Sequence, residues 1–311
     1  MGVLRKDYIL DRWVYYAIHR SKRPQDFKKE VKIESKNCHF CPKFEHLTPA
    51  EIGRLEYKGS WKMRWFLNKF PAVEHKGTPN IKSKGMLAES STYGIHEVIV
   101  ETPHHKSELA DLPVSDIRQL LEICRFRIKT LSKTKGVKYV QIFKNQGKDA
   151  GTSLVHSHTQ VMALPNVPSL VKEESKASRI HKKCAYCEII KKEAKSKRSI
   201  IETKNVVAFA PYASRFNYEA WVFVRSHKKN MEELEDEELN DLAMAIKKII
   251  TKLKSIGASY NFYVHYSPIG QNLHFHIEIT PRIATWGGFE LSTDAIINSV
   301  LPEDAARFYR R

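Results

Sequence analysis

A chain of 311 residues, 42% hydrophobic and 10% aromatic, has enough material for one large domain or two ordinary ones with filled cores. No apolar run approaches the length of a membrane span, and the charged N-terminus lacks a signal-peptide pattern, which argues against a membrane partner and predicts a cytoplasmic protein. The formal charge of +17 favours anionic partners: phosphorylated metabolites, nucleic acid or an acidic membrane surface all fit it.

Along the chain, "WVYYAIHRSKRPQDF" reads as a strand entering a loop, where Arg20 and Arg23 stand beside Pro24. Arginine makes bidentate contacts to phosphate. Next comes "CHFC", a Cys-x-x-Cys pair formed by Cys38 and Cys41. The stretch "HKGTPNIKSKGMLAESSTYG" reads as a loop. "HEVIVETPHH" reads as a strand that ends in histidine at His105. An amphipathic helix follows, with Ile117, Leu120, Leu121, Cys124, Ile128 and Leu131 on one stripe, so Cys124 is a core residue. Then come the alternating strand "KYVQIF", the glycine-bearing turn "FKNQGKDAGTS" and the His-x-His strand "LVHSHTQV".

The second half repeats this order. "CAYC" holds Cys184 and Cys187, and "EAWVFVRSH" is a strand ending at His227. A helix carries Leu239, Leu242, Ile246, Ile249, Ile250 and Leu253 on one face. "YNFYVHY" and "LHFHIEI" complete the pattern. His156 lies 51 residues after His105, and His274 lies 47 after His227. The prolines and charges of "LPNVPSLVKEESKASRIHKK" mark the break, giving halves at 1–168 and 169–311. Hairpins joined through helices predict an α+β protein, with antiparallel sheets and helices packed on one side.

A cytosolic chain seldom uses cysteine for disulfides, so pairs at this spacing are metal ligands. Cys38, Cys41, His105 and His156 form one tetrahedral zinc set; Cys184, Cys187, His227 and His274 form the other, with His276 a competitor for His274. Both sets are closed, which makes the metals structural. On a strand, His156, His158 and Gln160 share one face. With His156 tied to metal, His158 is positioned but unligated, and a neutral imidazole is a competent nucleophile toward phosphorus. Ser153, Gln160, Asn145 and the backbone around Gly147 and Gly151 supply donors for phosphate oxygens. The second copy lacks that serine and has Glu278 where Gln160 stood, so it reads as a scaffold. A zinc-containing nucleic-acid-binding module would also account for the cysteines and charge. No interleaved basic and aromatic stripe supports that reading, and no nucleic-acid partner is expected.

These residues resemble the galactose-1-phosphate uridylyltransferase family of the histidine-triad superfamily. The resemblance runs through "HRSKRP", "CHFCPKFEHLTPAEI", "FLNKFPAV", "HEVIVETPHH", "FKNQGKDAGTSLVHSHTQ" and "GGFELSTDAIINSVLPEDAA". It implies two tandem histidine-triad-like halves, a homodimer, and a ping-pong reaction on a nucleotide sugar and a sugar phosphate. His158 would carry the nucleotidyl group, assisted by Ser153 and Gln160. Asn68 would contact the nucleotide, Arg20 and Arg23 phosphate or sugar, and Asn145, Gly151, Ser153 and Gln160 the transferring phosphoryl. Phe289 and Glu290 would face the sugar. The reaction implied first moves UMP from UDP-glucose to galactose 1-phosphate. Ser157, where typical uridylyltransferases have proline, and the segment "ATWGGFELS" are more similar to the ADP-glucose phosphorylase branch, in which inorganic phosphate is the acceptor.

Overall fold

The computed structural model describes residues 3–10, 13–16, 38–179 and 184–311; Arg20 and Arg23 lie outside them. The first half comprises β1 (Val3–Lys6), β2 (Trp13–Tyr16), β3 (Glu51–Tyr57), β4 (Ser60–Leu67), β5 (Lys82–Lys84), β6 (Leu87–Glu89), β7 (Ile95–Val100), α1 (Val114–Leu131), β8 (Tyr139–Gln146) and β9 (His158–Leu164). After them come α2 (Ser169–Ala177), α3 (Ala185–Ala194), β10 (Ser199–Glu202), β11 (Val206–Phe209), β12 (Ala220–Val224), α4 (Asp236–Ser255), β13 (Tyr260–His265) and β14 (His276–Pro281). The chain closes with α5 (Gly288–Thr293), β15 (Ile296–Asn298) and α6 (Pro302–Arg310).

The helical periodicity holds. Every residue of the two predicted apolar stripes is buried on α1 or α4, Cys124 included. Burying such a side chain contributes about 1.5–3 kcal/mol. The ends of α4 obey its dipole: Glu235 and Glu238 form a capping box, acids fill the first turn, and Lys252 and Lys254 occupy the last. No helix among the described residues is long and apolar enough to cross a membrane.

One antiparallel sheet of ten strands runs β10-β11-β12-β14-β13-β8-β9-β7-β4-β3. Read outward from the central β13–β8 pair, both halves show the same order, so the sequence repeat is a pseudo-two-fold in the sheet. The halves share a single sheet because β8 and β13 pair edge to edge, Asn145 opposite Asn261 and Phe143 opposite Tyr263. Helices α1 and α4 pack together, and their stripes join one large core with the strands. A second, smaller cluster of Phe40, Trp61, Phe66, Val98 and Val100 lies apart from it.

Three local expectations change. Strand β7 ends at Val100 and β12 at Val224, so His105 and His227 lie on the following loops. Strand β9 begins at His158, so His156 sits just before the strand. The stretch read as a loop contains the β5–β6 hairpin, whose residues are all exposed; no buried face gives it a pattern to read. At the other end, β15 returns to pair with β2 in parallel.

Candidate active site

The first ligand set converges. One ligand atom from each of Cys38, Cys41, His105 and His156 lies within 4.8 Å of all the others. His156 Nδ1 is 3.6 Å from both thiol sulfurs, and His105 Nδ1 is 3.3 Å from Cys41 Sγ. A zinc tetrahedron with bonds near 2.3 and 2.1 Å has S···N edges of about 3.6 Å, so the residues fit the ion. His156 Nε2 donates to the Thr102 carbonyl at 2.7 Å, which leaves Nδ1 bare for a metal. Burial lowers the pKa of the ring to about 4, so it stays neutral. Burial and the adjacent Cys38 sulfur push the Cys41 thiol up to about 11. Two neighbouring thiolates therefore call for a cation.

The second set is built alike. Cys184, Cys187, His227 and His274 meet the same 4.8 Å limit, and Cys187 Sγ lies 3.3 Å from His227 Nδ1 and 3.5 Å from His274 Nδ1. His274 Nε2 donates to the Val224 carbonyl, as His156 does to Thr102. His276 does not compete. Its ring stacks on Phe223 with centroids 4.8 Å apart, and its Nε2 faces Glu278 at 3.4 Å. With Glu174 and His265 these two form a third, buried group that could hold a cation. Against the cost of burial, the carboxylates of Glu174 and then Glu278 raise His265 to about 9.

In the first half, the position equivalent to His276 opens onto a cavity of about 330 Å³. His158, Ser153, Gln160, Asn145, Asn68 and Gly151 all line it. Gly151 adopts the left-handed conformation, φ +82°, that ends the turn before the histidine pair, and glycine reaches it without strain. His158 Nδ1 donates to the His156 carbonyl at 2.9 Å, so the lone pair sits on Nε2. Burial, and then the charge of Lys144, hold this imidazole below the usual histidine range. The phenyl ring of Phe40, from the first Cys-x-x-Cys, packs edge-on against it with centroids 5.3 Å apart. Phe289 and Glu290 do not reach the cavity. They lie on α5, where Glu290 accepts the Gly287 N–H at 2.9 Å.

Sequence reasoning missed His39, Thr48, Phe66 and His96 in the cavity wall, and the support behind the strand. There Lys144 and Glu101 are fully buried and paired at 2.9 Å. Lys144 also donates to Ser157 Oγ at 2.9 Å and to the His158 carbonyl at 3.2 Å. Ser157 and Thr159 donate to Glu101, each at 2.6 Å. The hydroxyl that distinguishes Ser157 from proline thus completes a satisfied buried network. Lys144→Met leaves Glu101 buried without its cation and is expected to cost about 3–5 kcal/mol in urea denaturation. A loss under about 1 kcal/mol would contradict that account of the network.

A duplicated antiparallel sheet with two cysteine–histidine clusters that could hold metal, and a histidine in a donor-lined cavity, accords with the nucleotidyltransferase class in which the sequence comparisons place the chain. Residues 3–168 match the sequence model of "Galactose-1-phosphate uridyl transferase, N-terminal domain", and the chain belongs to that family. Residues 183–285 match "Scavenger mRNA decapping enzyme C-term binding". ADP-glucose phosphorylase of Arabidopsis thaliana is 32% identical over 99% of this chain and 92% of its own. Galactose-1-phosphate uridylyltransferase of Thermotoga maritima is 29% identical over 100% and 98%. The crystal structure of the Arabidopsis thaliana ADP-glucose phosphorylase with bound ADP-glucose superposes with TM-score 0.86 at 30% identity, covering 100% and 99% of the two chains.

Proposed function

We propose that the protein transfers a nucleotidyl group from a nucleoside diphosphate hexose to a phosphate-bearing acceptor through a covalent nucleotidyl-histidine. One observation carries the reading: His158 belongs to neither cysteine–histidine set, with Nδ1 bound to the His156 carbonyl and Nε2 left to the cavity. Nε2 attacks the α-phosphorus, the bond to the β-phosphate oxygen breaks, and hexose 1-phosphate leaves. An acceptor phosphate oxygen then attacks the same phosphorus and the P–N bond breaks. Ser153, Asn145 and Gln160 donate to the phosphoryl oxygens as charge builds on them, and Asn68 contacts the nucleotide. Zinc at each cysteine–histidine set braces the fold and takes no part in the steps. A homodimer accords with the exposed Ile81, Met86 and Leu87 at the β5–β6 hairpin, surface a second subunit would cover.

Uridylyl transfer from UDP-glucose to galactose 1-phosphate is the reaction implied first by the sequence. Similarity to ADP-glucose phosphorylase along the whole chain favours ADP-glucose as donor and inorganic phosphate as acceptor. A half-reaction screen decides. ADP-glucose is expected to load His158 and release glucose 1-phosphate, and phosphate alone to discharge ADP. If instead only UDP-glucose loads and only a hexose 1-phosphate discharges, the uridylyltransferase reading replaces it.

The acid limb of the loading rate should fall below the usual histidine range. A lowered pKa keeps the Nε2 lone pair available as pH drops, and an inflection above about 6.5 would contradict it.

A further inference from the structure

Two backbone groups behind the cavity wall fix hydrogen positions that heavy atoms alone leave open. The Ala72 N–H can only donate, and it points at His96 Nδ1 at 3.2 Å. That nitrogen is therefore an acceptor, and a neutral ring must carry its proton on Nε2. Burial lowers the pKa of His96 and keeps it neutral. Its Nε2 lies 3.0 Å from Gln160 Oε1, so Gln160 meets it with oxygen and turns its amide hydrogens to the cavity. Asn68 Nδ2, 3.2 Å from the same nitrogen, is itself a donor, its oxygen held by the Phe70 N–H, and does not take the proton.

Asn145 is held in the same way from the second half. The Ala150 carbonyl can only accept, and it receives Asn261 Nδ2 at 2.8 Å. The same amide group donates to Asn145 Oδ1 at 2.8 Å, so Asn145 likewise turns its hydrogens to the cavity. An amide free to rotate would present its oxygen part of the time, and an oxygen facing a phosphoryl oxygen repels it.

We propose that His96 and Asn261 are positioning residues: each holds the oxygen end of an active-site amide, so that Gln160 and Asn145 offer only N–H donors to the phosphoryl group in transfer. The inference rests on the nucleotidyl-transfer reading, but its first test needs no substrate. Long-range 1H–15N correlation spectra of protein labelled with 15N-histidine, with His96→Gln identifying the resonance, should show the Nε2–H tautomer. An Nδ1–H tautomer, or an imidazolium at neutral pH, overturns the proposal. Absence of label on wild-type His158 with ADP-glucose and UDP-glucose would end the transferase reading and leave the tautomer to judge the clamp.

In the kinetic arm, His96→Ala should slow nucleotidyl-enzyme formation by about tenfold or more with KM for the nucleotide sugar little changed. His96→Gln places an N–H donor near the same point and should restore most of the rate. The loss should vanish in a Gln160→Ala background, because His96 acts only through that amide. Asn261→Asp should behave likewise against Asn145→Ala. Losses that multiply in the double variants, or full activity in His96→Ala, overturn the proposal.

Discussion

His158→Ala is expected to abolish nucleotidyl-enzyme formation and to lower turnover by at least about 10⁴-fold, as removal of a covalent nucleophile does elsewhere. The expectation follows from what the ring does not do. It coordinates neither set of cysteines, and its Nδ1 is spent on the His156 carbonyl. Its removal therefore costs chemistry and leaves the metal sets whole, which circular dichroism and metal content would confirm. The matched control is His276→Ala. That ring is buried among aromatics and faces Glu278, so the change should weaken the fold while transfer of label to His158 persists in the folded fraction. Turnover surviving in His158→Ala would end the covalent mechanism.

Metal removal should have the second largest effect. Elemental analysis is expected to return about two zinc per chain, and chelation to unfold the protein, because a structural zinc site contributes about 10–16 kcal/mol of apparent binding energy in small domains. The first set ties the loop after β7 to the segment before β9 and to the Cys38–Cys41 turn. Through Phe40 and His156 it also fixes both flanks of His158. Cys41→Ser should therefore suppress loading of His158 at temperatures where the chain is still folded. The equivalent change at Cys187 should act on stability first. A gently purified protein with metal near zero and an unchanged melting temperature would refute both expectations.

The parts legible in the sequence were those written at short spacing. Cysteines two residues apart, histidines two apart and helical stripes all appear in local order, and the duplication makes each a check on the other. What stayed hidden depends on long-range pairing. Lys144 and Glu101 stand 43 residues apart, and neither reads as buried until β9 pairs with β8 on one side and β7 on the other. Glu174 and His265 join His276 and Glu278 from a helix and a strand with no shared motif. His96 looked like the start of a strand; only the Ala72 N–H gives it a direction. The union of the halves in one sheet was equally unreadable, since edge-to-edge pairing leaves no periodic trace.

That central pairing bears on how the duplicated chain could be dissected. Strand β8 carries Asn145 and has β9 on one side and β13 on the other. Cut from its neighbour, the first half would show a bare row of amide and carbonyl groups along β8, an invitation to stack with other copies of itself. The second half is thus a permanent edge cover. A chain truncated after the first half should therefore yield aggregates rather than a small working enzyme.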